Sequence, residues 1–124
     1  MGKWVYLIIG SIAGGISRYV LAGAVYEKLG TSFPYGTLVI NLSGCFLIGF
    51  FSAIVDDKFF LGTNSRVLLM TGFCGAYTTF STYMLETGNL VKDGEISRAF
   101  LNILVSTVIG FGAYWLGNIV GDII

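Results

Sequence analysis

The chain has 124 residues, of which 55% are hydrophobic and 11% charged, and its seven basic side chains balance its seven acidic ones. Soluble domains carry roughly 25% charged residues, so this composition, with a mean hydropathy of +0.81, excludes an ordinary soluble domain, and the balanced charge argues against a nucleic-acid partner. There is no histidine, which removes the commonest metal ligand and general base. With no nucleophile–base pair either, enzymatic chemistry is not expected.

The length suits one compact membrane bundle, a single domain over residues 1–124 with four spans at approximately 4–24, 36–55, 67–91 and 99–120. The first, Trp4 to Ala24, is about 20 residues, the length that crosses roughly 30 Å of hydrocarbon. It reads as a retained spanning helix rather than a cleaved signal peptide. Trp4 and Tyr6 suit the headgroup layer at one end, Tyr19 and Tyr26 at the other. Small residues recur four apart (Gly10 with Gly14, Ser11 with Gly15), a pattern that lets helix backbones approach closely in lipid. Arg18 lies inside the apolar run. Two readings are open: it snorkels to the interface, or it faces a wet vestibule that attracts anions.

A connection from Glu27 to Tyr35 holds the only proline, Pro34. In the second span Thr37 and Asn41 are four apart and share a face. Asn41 is either interhelical glue or a pore-lining donor amide, since an amide in lipid needs a partner. The second loop, Asp56 to Arg66, is rich in polar residues and reads as aqueous. The third span, Val67 to Val91, is long for one crossing and carries Thr71-Gly72-Phe73-Cys74-Gly75-Ala76-Tyr77-Thr78-Thr79-Phe80-Ser81-Thr82-Tyr83 at its centre. Glycines weaken a helix, and clustered hydroxyls offer backbone groups other partners. A break is expected here. In a membrane, broken backbone survives only where it is buried in protein, binds an ion or lines a wet path. Beyond the break, Phe80, Tyr83 and Thr87 share one face of a short half-helix. Glu86 on that half-helix reads either as a functional intramembrane carboxylate or as a solvated residue near the helix end. After a loop from Lys92 to Arg98, the fourth span, Ala99 to Val120, sets Asn102, Ser106 and Gly110 four apart. That stripe is packing alone or, paired with Thr37 and Asn41, one wall of a polar track. Cys45 and Cys74 sit in apolar runs outside any Cys-x-x-Cys pair and read as inert buried thiols.

Orientation is not selected by charge. With four spans, Lys3, Lys58 and Arg66 fall on one side, and Lys28, Lys92 and Arg98, with Arg18 nearby, on the other. Cytoplasmic loops normally hold the excess of Lys and Arg, so this chain is expected to insert both ways. Two opposed copies would then pair in an antiparallel two-fold dimer, which supplies enough helices to surround a pore.

The sequence resembles the Fluc/CrcB family of fluoride channels. The matching pieces are Gly14-Gly15-Ile16-Ser17-Arg18-Tyr19, then Gly36-Thr37-Leu38-Val39-Ile40-Asn41-Leu42-Ser43-Gly44, and above all the third-span motif from Thr71 to Tyr83 with Glu86 following. The resemblance covers all four spans in order. It implies an all-α integral membrane fold whose third helix is broken at mid-membrane, and an antiparallel dual-topology homodimer in the cell inner (plasma) membrane. It implies passive export of fluoride through two pores. It also implies a structural Na⁺ at the dimer centre, held by the backbone carbonyls of Gly75 and Thr78. Phe80 matches the first pore aromatic, and Tyr83 stands where the second is typically phenylalanine. Asn41 matches the pore asparagine and Ser106 a track serine. Asn102 occupies a further track position, Ser81 and Thr82 lie in the segment for hydroxyl contacts, and Arg18 matches the vestibule base. A competing reading is a small dual-topology multidrug or cation antiporter, for which Glu86 is the candidate proton carrier. Another is a scaffold protein whose polar residues act only as helix glue.

Overall fold

A computed structural model describes residues 2–57 and 62–124; Lys58, counted above in the charge balance, lies outside them. The described residues form helices and no strand. Helix α1 spans Gly2–Leu29, α2 Tyr35–Asp57, and the last helix, α6, Ile96–Ile123. These three are long and apolar enough to cross a membrane. Each runs past the apolar stretch read from the sequence, because polar end residues can continue a helix into the headgroup layer without losing backbone hydrogen bonds.

The remaining segment is interrupted. It starts with one α-helical turn, α3 (Thr63–Arg66), and widens into a π-helix (Val67–Cys74). It returns to α geometry for α4 (Gly75–Tyr77) and resumes after a break as α5 (Phe80–Lys92). The break consists of two extended residues, Thr78 (φ −86°, ψ 158°) and Thr79 (φ −148°, ψ 117°). The interruption expected within the Thr71–Tyr83 motif is therefore present, but the glycines do not make it. Gly75 is helical at φ −62°, ψ −36°. The glycines with positive φ are Gly30 and Gly94, both in turns. Gly94 closes α5, with its N–H on the Val91 carbonyl at 3.1 Å and the Glu95 N–H on Leu90 at 2.8 Å; this paired arrangement needs a left-handed residue.

Small residues set the layers. An added Cβ on Gly14 would collide with the Phe73 carbonyl, so α1 lies directly against the π-helix. An added Cβ on Gly117 would strike the Phe46 carbonyl, and α2 and α6 pack along much of their length. The Gly10–Gly14 stripe is thus a packing seam, whereas Gly15 faces open space. A second layer of polar pairing locks the ends: Arg66 bonds Asp56, and Arg98 donates to the Ser32 carbonyl at 3.3 Å. The outer faces of α1 and α6 carry rows of exposed Ile, Val, Leu, Phe and Trp, the pattern expected of lipid-facing or protein-covered surface.

Candidate functional site

The break is held open by Asn41. Its Nδ2 donates to the Thr79 carbonyl at 3.0 Å, and its Oδ1 accepts from the Thr79 N–H at 2.9 Å. Asn41 on α2 thus replaces the acceptor that an unbroken helix would have given the Thr79 N–H, and adds a second donor to the Thr79 carbonyl, which as the N-cap already opens α5. This meets the requirement that backbone in lipid be satisfied internally. An asparagine amide carries two N–H donors, so one remains beyond the Thr79 bond, and Asn41 also lines a cavity. Thr79 Oγ1 then accepts from the Thr82 N–H at 3.3 Å and caps α5.

These two bonds have a consequence on the other side of the break. Within a continuous helix the Gly75 carbonyl would accept from Thr79 N–H, and the Thr78 carbonyl from Thr82 N–H. Both donors are diverted, one to Asn41 and one to Thr79 Oγ1. Gly75 is exposed on the isolated chain. The Gly75 and Thr78 carbonyl oxygens are left without the donors a continuous helix would have given them.

Two cavities flank Thr79. The first, about 330 Å³, is lined by Asn41, Thr78, Thr79, Phe80, Tyr83 and Ser106 among others. Phe80 and Tyr83 meet edge to face, with centroids 5.7 Å apart and planes at 69°. Tyr83 is buried, while Phe80 is 73% exposed on the isolated chain. The second cavity, about 300 Å³, is lined by Arg18, Tyr26, Thr37, Thr79, Thr82 and Glu86 with apolar neighbours. Here Tyr26 and Thr37 both donate to the Glu86 carboxylate, one to each oxygen. Arg18 Nε donates to the Ala76 carbonyl at 3.2 Å, one turn before the break.

The structure thus divides the sequence-predicted residues into two groups that share Thr79 as a common wall: Asn41, Phe80, Tyr83 and Ser106 on one side, Arg18, Thr37, Thr82 and Glu86 on the other. Asn102 lines neither cavity. It is 1% exposed and works behind the wall, with Nδ2 on Thr87 Oγ1 at 2.9 Å and Oδ1 accepting from Ser106 at 3.4 Å. Thr87 in turn donates to the Tyr83 carbonyl at 2.7 Å. Ser81 is exposed and lines neither cavity. Glu86 is bonded within the protein rather than turned to solvent at the helix end.

Two contributors escaped the sequence reading. Tyr26, read from the sequence only as a headgroup residue, lines the second cavity and bonds Glu86; its position in the chain gives the helix and no signal of the face. Thr79 lay within the motif, yet its dual role as cap and clamped residue depends on Asn41, which is 38 positions away.

Comparison with known proteins bears on what this arrangement serves. A family model described as CrcB-like protein, Camphor Resistance (CrcB), matches residues 5–118. The chain is 44% identical over 119 residues to a protein of Methylocella silvestris named fluoride-specific ion channel FluC, covering 94% of this chain and 91% of that one. A protein of the same name from Acidobacterium capsulatum is 42% identical over 120 residues, covering 97% and 96% respectively. Another, from Maridesulfovibrio salexigens, is 38% identical over 124 residues, covering 100% and 98%.

Proposed function

Because the chain belongs to the CrcB family, we propose that it is a fluoride-specific channel that lets the ion leave the cell passively through the inner membrane. The observation that carries this reading is the pair of cavities meeting at Thr79, one with ring edges and an amide, the other with a guanidinium, hydroxyls and a carboxylate held by two of them.

Fluoride is small and strongly hydrated, so a passage must replace lost water with several donors. Arg18 supplies a positive charge at the second cavity and Thr82 a hydroxyl donor, while the Thr37 proton is committed to Glu86. In the first cavity the remaining Asn41 N–H can donate, and the Ser106 hydroxyl can do so only by turning from its long bond to Asn102 Oδ1 at 3.4 Å. An aromatic ring is negative on its face and positive at its edge, so Phe80 and Tyr83 serve an anion edge-on. None of these contacts is a full ion pair within the first cavity, which allows release as well as entry. Two antiparallel copies of the chain complete two such routes, and the exposed Phe80 edge is then enclosed by the partner. At the two-fold axis the Gly75 and Thr78 carbonyls are the residues that would hold a structural Na⁺. When bound, the ion supplies positive charge against clustered carbonyl dipoles.

The half-buried Glu86 gives the antiporter reading one specific support, a carboxylate that accepts from both Tyr26 and Thr37. One experiment separates the two. Purified protein in liposomes loaded with fluoride and chloride is expected to release fluoride and retain chloride with no pH gradient. Retention of fluoride would end the channel reading. Release of an organic cation that requires a proton gradient and disappears in Glu86→Gln would favour the antiporter.

A further inference from the structure

The cavity beside Asn41 carries two thiols, Cys45 from α2 and Cys74 from the last position of the π-helix, and both are free. Their segments are held together by separate contacts. Gly44, next to Cys45, packs so closely on Thr78 that an added Cβ would collide with the Thr78 methyl group. Thr78 Oγ1 in turn donates to the Cys74 carbonyl at 2.9 Å. On the α6 side, Cys45 Sγ lies 3.5 Å from where a Cβ on Gly110 would stand, so no side chain from that position covers the sulfur. The Cys74 side chain is only 2% exposed, yet it borders this cavity.

Fluoride, a hard anion, has no use for sulfur, whereas thiolates select soft ions. We propose that Cys45 and Cys74 together form a site for one soft, two-coordinate metal ion, of which Hg²⁺ is the probe, and that its occupancy plugs the cavity. Each thiol releases its proton to water as its sulfur–metal bond forms. One Hg²⁺ and two thiols give a neutral S–Hg–S bridge and two protons, with no change of oxidation state. The bridge ties α2 to the half-crossing before the break and places a bulky ion beside Asn41 and Phe80. The plugging rests on the channel reading; the binding does not.

The test has two readouts. In the first, purified full-length protein is treated with HgCl₂, challenged with a monothiol competitor and weighed intact by mass spectrometry. Wild type is expected to retain one mercury per chain with the loss of two protons. Cys45→Ser and Cys74→Ser are each expected to lose about 10²-fold or more in retention, the gain from holding two ligands at once. Cys74→Ala provides a second check should the serine at this buried position disturb folding. Two mercury ions per chain, or wild-type retention by either single variant, would overturn the shared site. In the second, fluoride efflux from liposomes is scored against each variant's own metal-free rate. Hg²⁺ is expected to stop wild type and spare the Cys45→Ser/Cys74→Ser double variant. Bridging with undiminished efflux would overturn the plug and leave the metal site standing. Absence of metal-free efflux would sink the channel reading without touching the mass result.

Discussion

Asn41 has two duties that its surroundings make inseparable. Its amide completes the Thr79 backbone in both directions, and its other N–H is left for the cavity. Asn41→Asp keeps an acceptor for the Thr79 N–H but sets a carboxylate against the Thr79 carbonyl and any passing anion. A like charge that raises the barrier in the anion's path by about 1.4 kcal/mol or more lowers fluoride efflux about tenfold or more, and wild-type efflux from the variant would argue against this role. Phe80→Ile keeps bulk and removes the positive ring edge; liposome efflux should drop while size-exclusion behaviour stays that of wild type. The residue types were legible in the sequence, and so was the conflict at Asn41 between glue and donor. The structure shows the glue, two bonds to Thr79 from a side chain that also borders a cavity, and leaves the donor role as the proposal that the efflux measurement tests.

At the scale of elements, the third crossing is built to break at one place. A π-helix precedes the break, α4 ends at Tyr77, and Thr79 caps α5. Replacing Thr79 by Val removes the cap at a cost of about 1 kcal/mol. Thermal melting in detergent should shift downward, and the change should be larger than for Ser81→Ala, because Ser81 is exposed and lines neither cavity. The α2–α6 seam offers a sharper test. Gly117→Leu drives a side chain into the Phe46 carbonyl, and overpacking of this kind costs about 1–3 kcal/mol. The corresponding change at Gly15, which meets nothing within 4 Å, should leave the melting of the detergent-solubilised monomer near wild type. Sequence spacing identified both small-residue stripes on α1 but could not rank them, because each is equally regular; only the neighbour decides which stripe is a seam.

For the molecule as a whole, the near-equal division of Lys and Arg between the two sides leads to an expectation about insertion. Reporter fusions at the C-terminus should be active on both faces of the membrane. Gly62→Lys with Asn64→Lys should bias all copies one way and abolish efflux, and co-expression with an oppositely biased variant should restore it. Single-faced reporters in wild type would oppose dual insertion. Replacing sodium by a large organic cation throughout purification is expected to lower efflux and loosen the dimer, if the diverted carbonyls of Gly75 and Thr78 hold a cation as proposed. Unchanged efflux and dimer in sodium-free buffer would remove that role.

The chain alone determined its solvent and its punctuation: long apolar runs, polar loops and a hydroxyl-rich interruption are local properties, readable from composition and spacing because lipid forbids unpaired backbone. Tertiary structure decided which groups answer one another. Thr79 finds Asn41, and Glu86 finds Tyr26 and Thr37, across 38, 60 and 49 positions respectively. Such pairings depend on how helices rotate and approach, and that is set by where a missing Cβ lets two backbones touch.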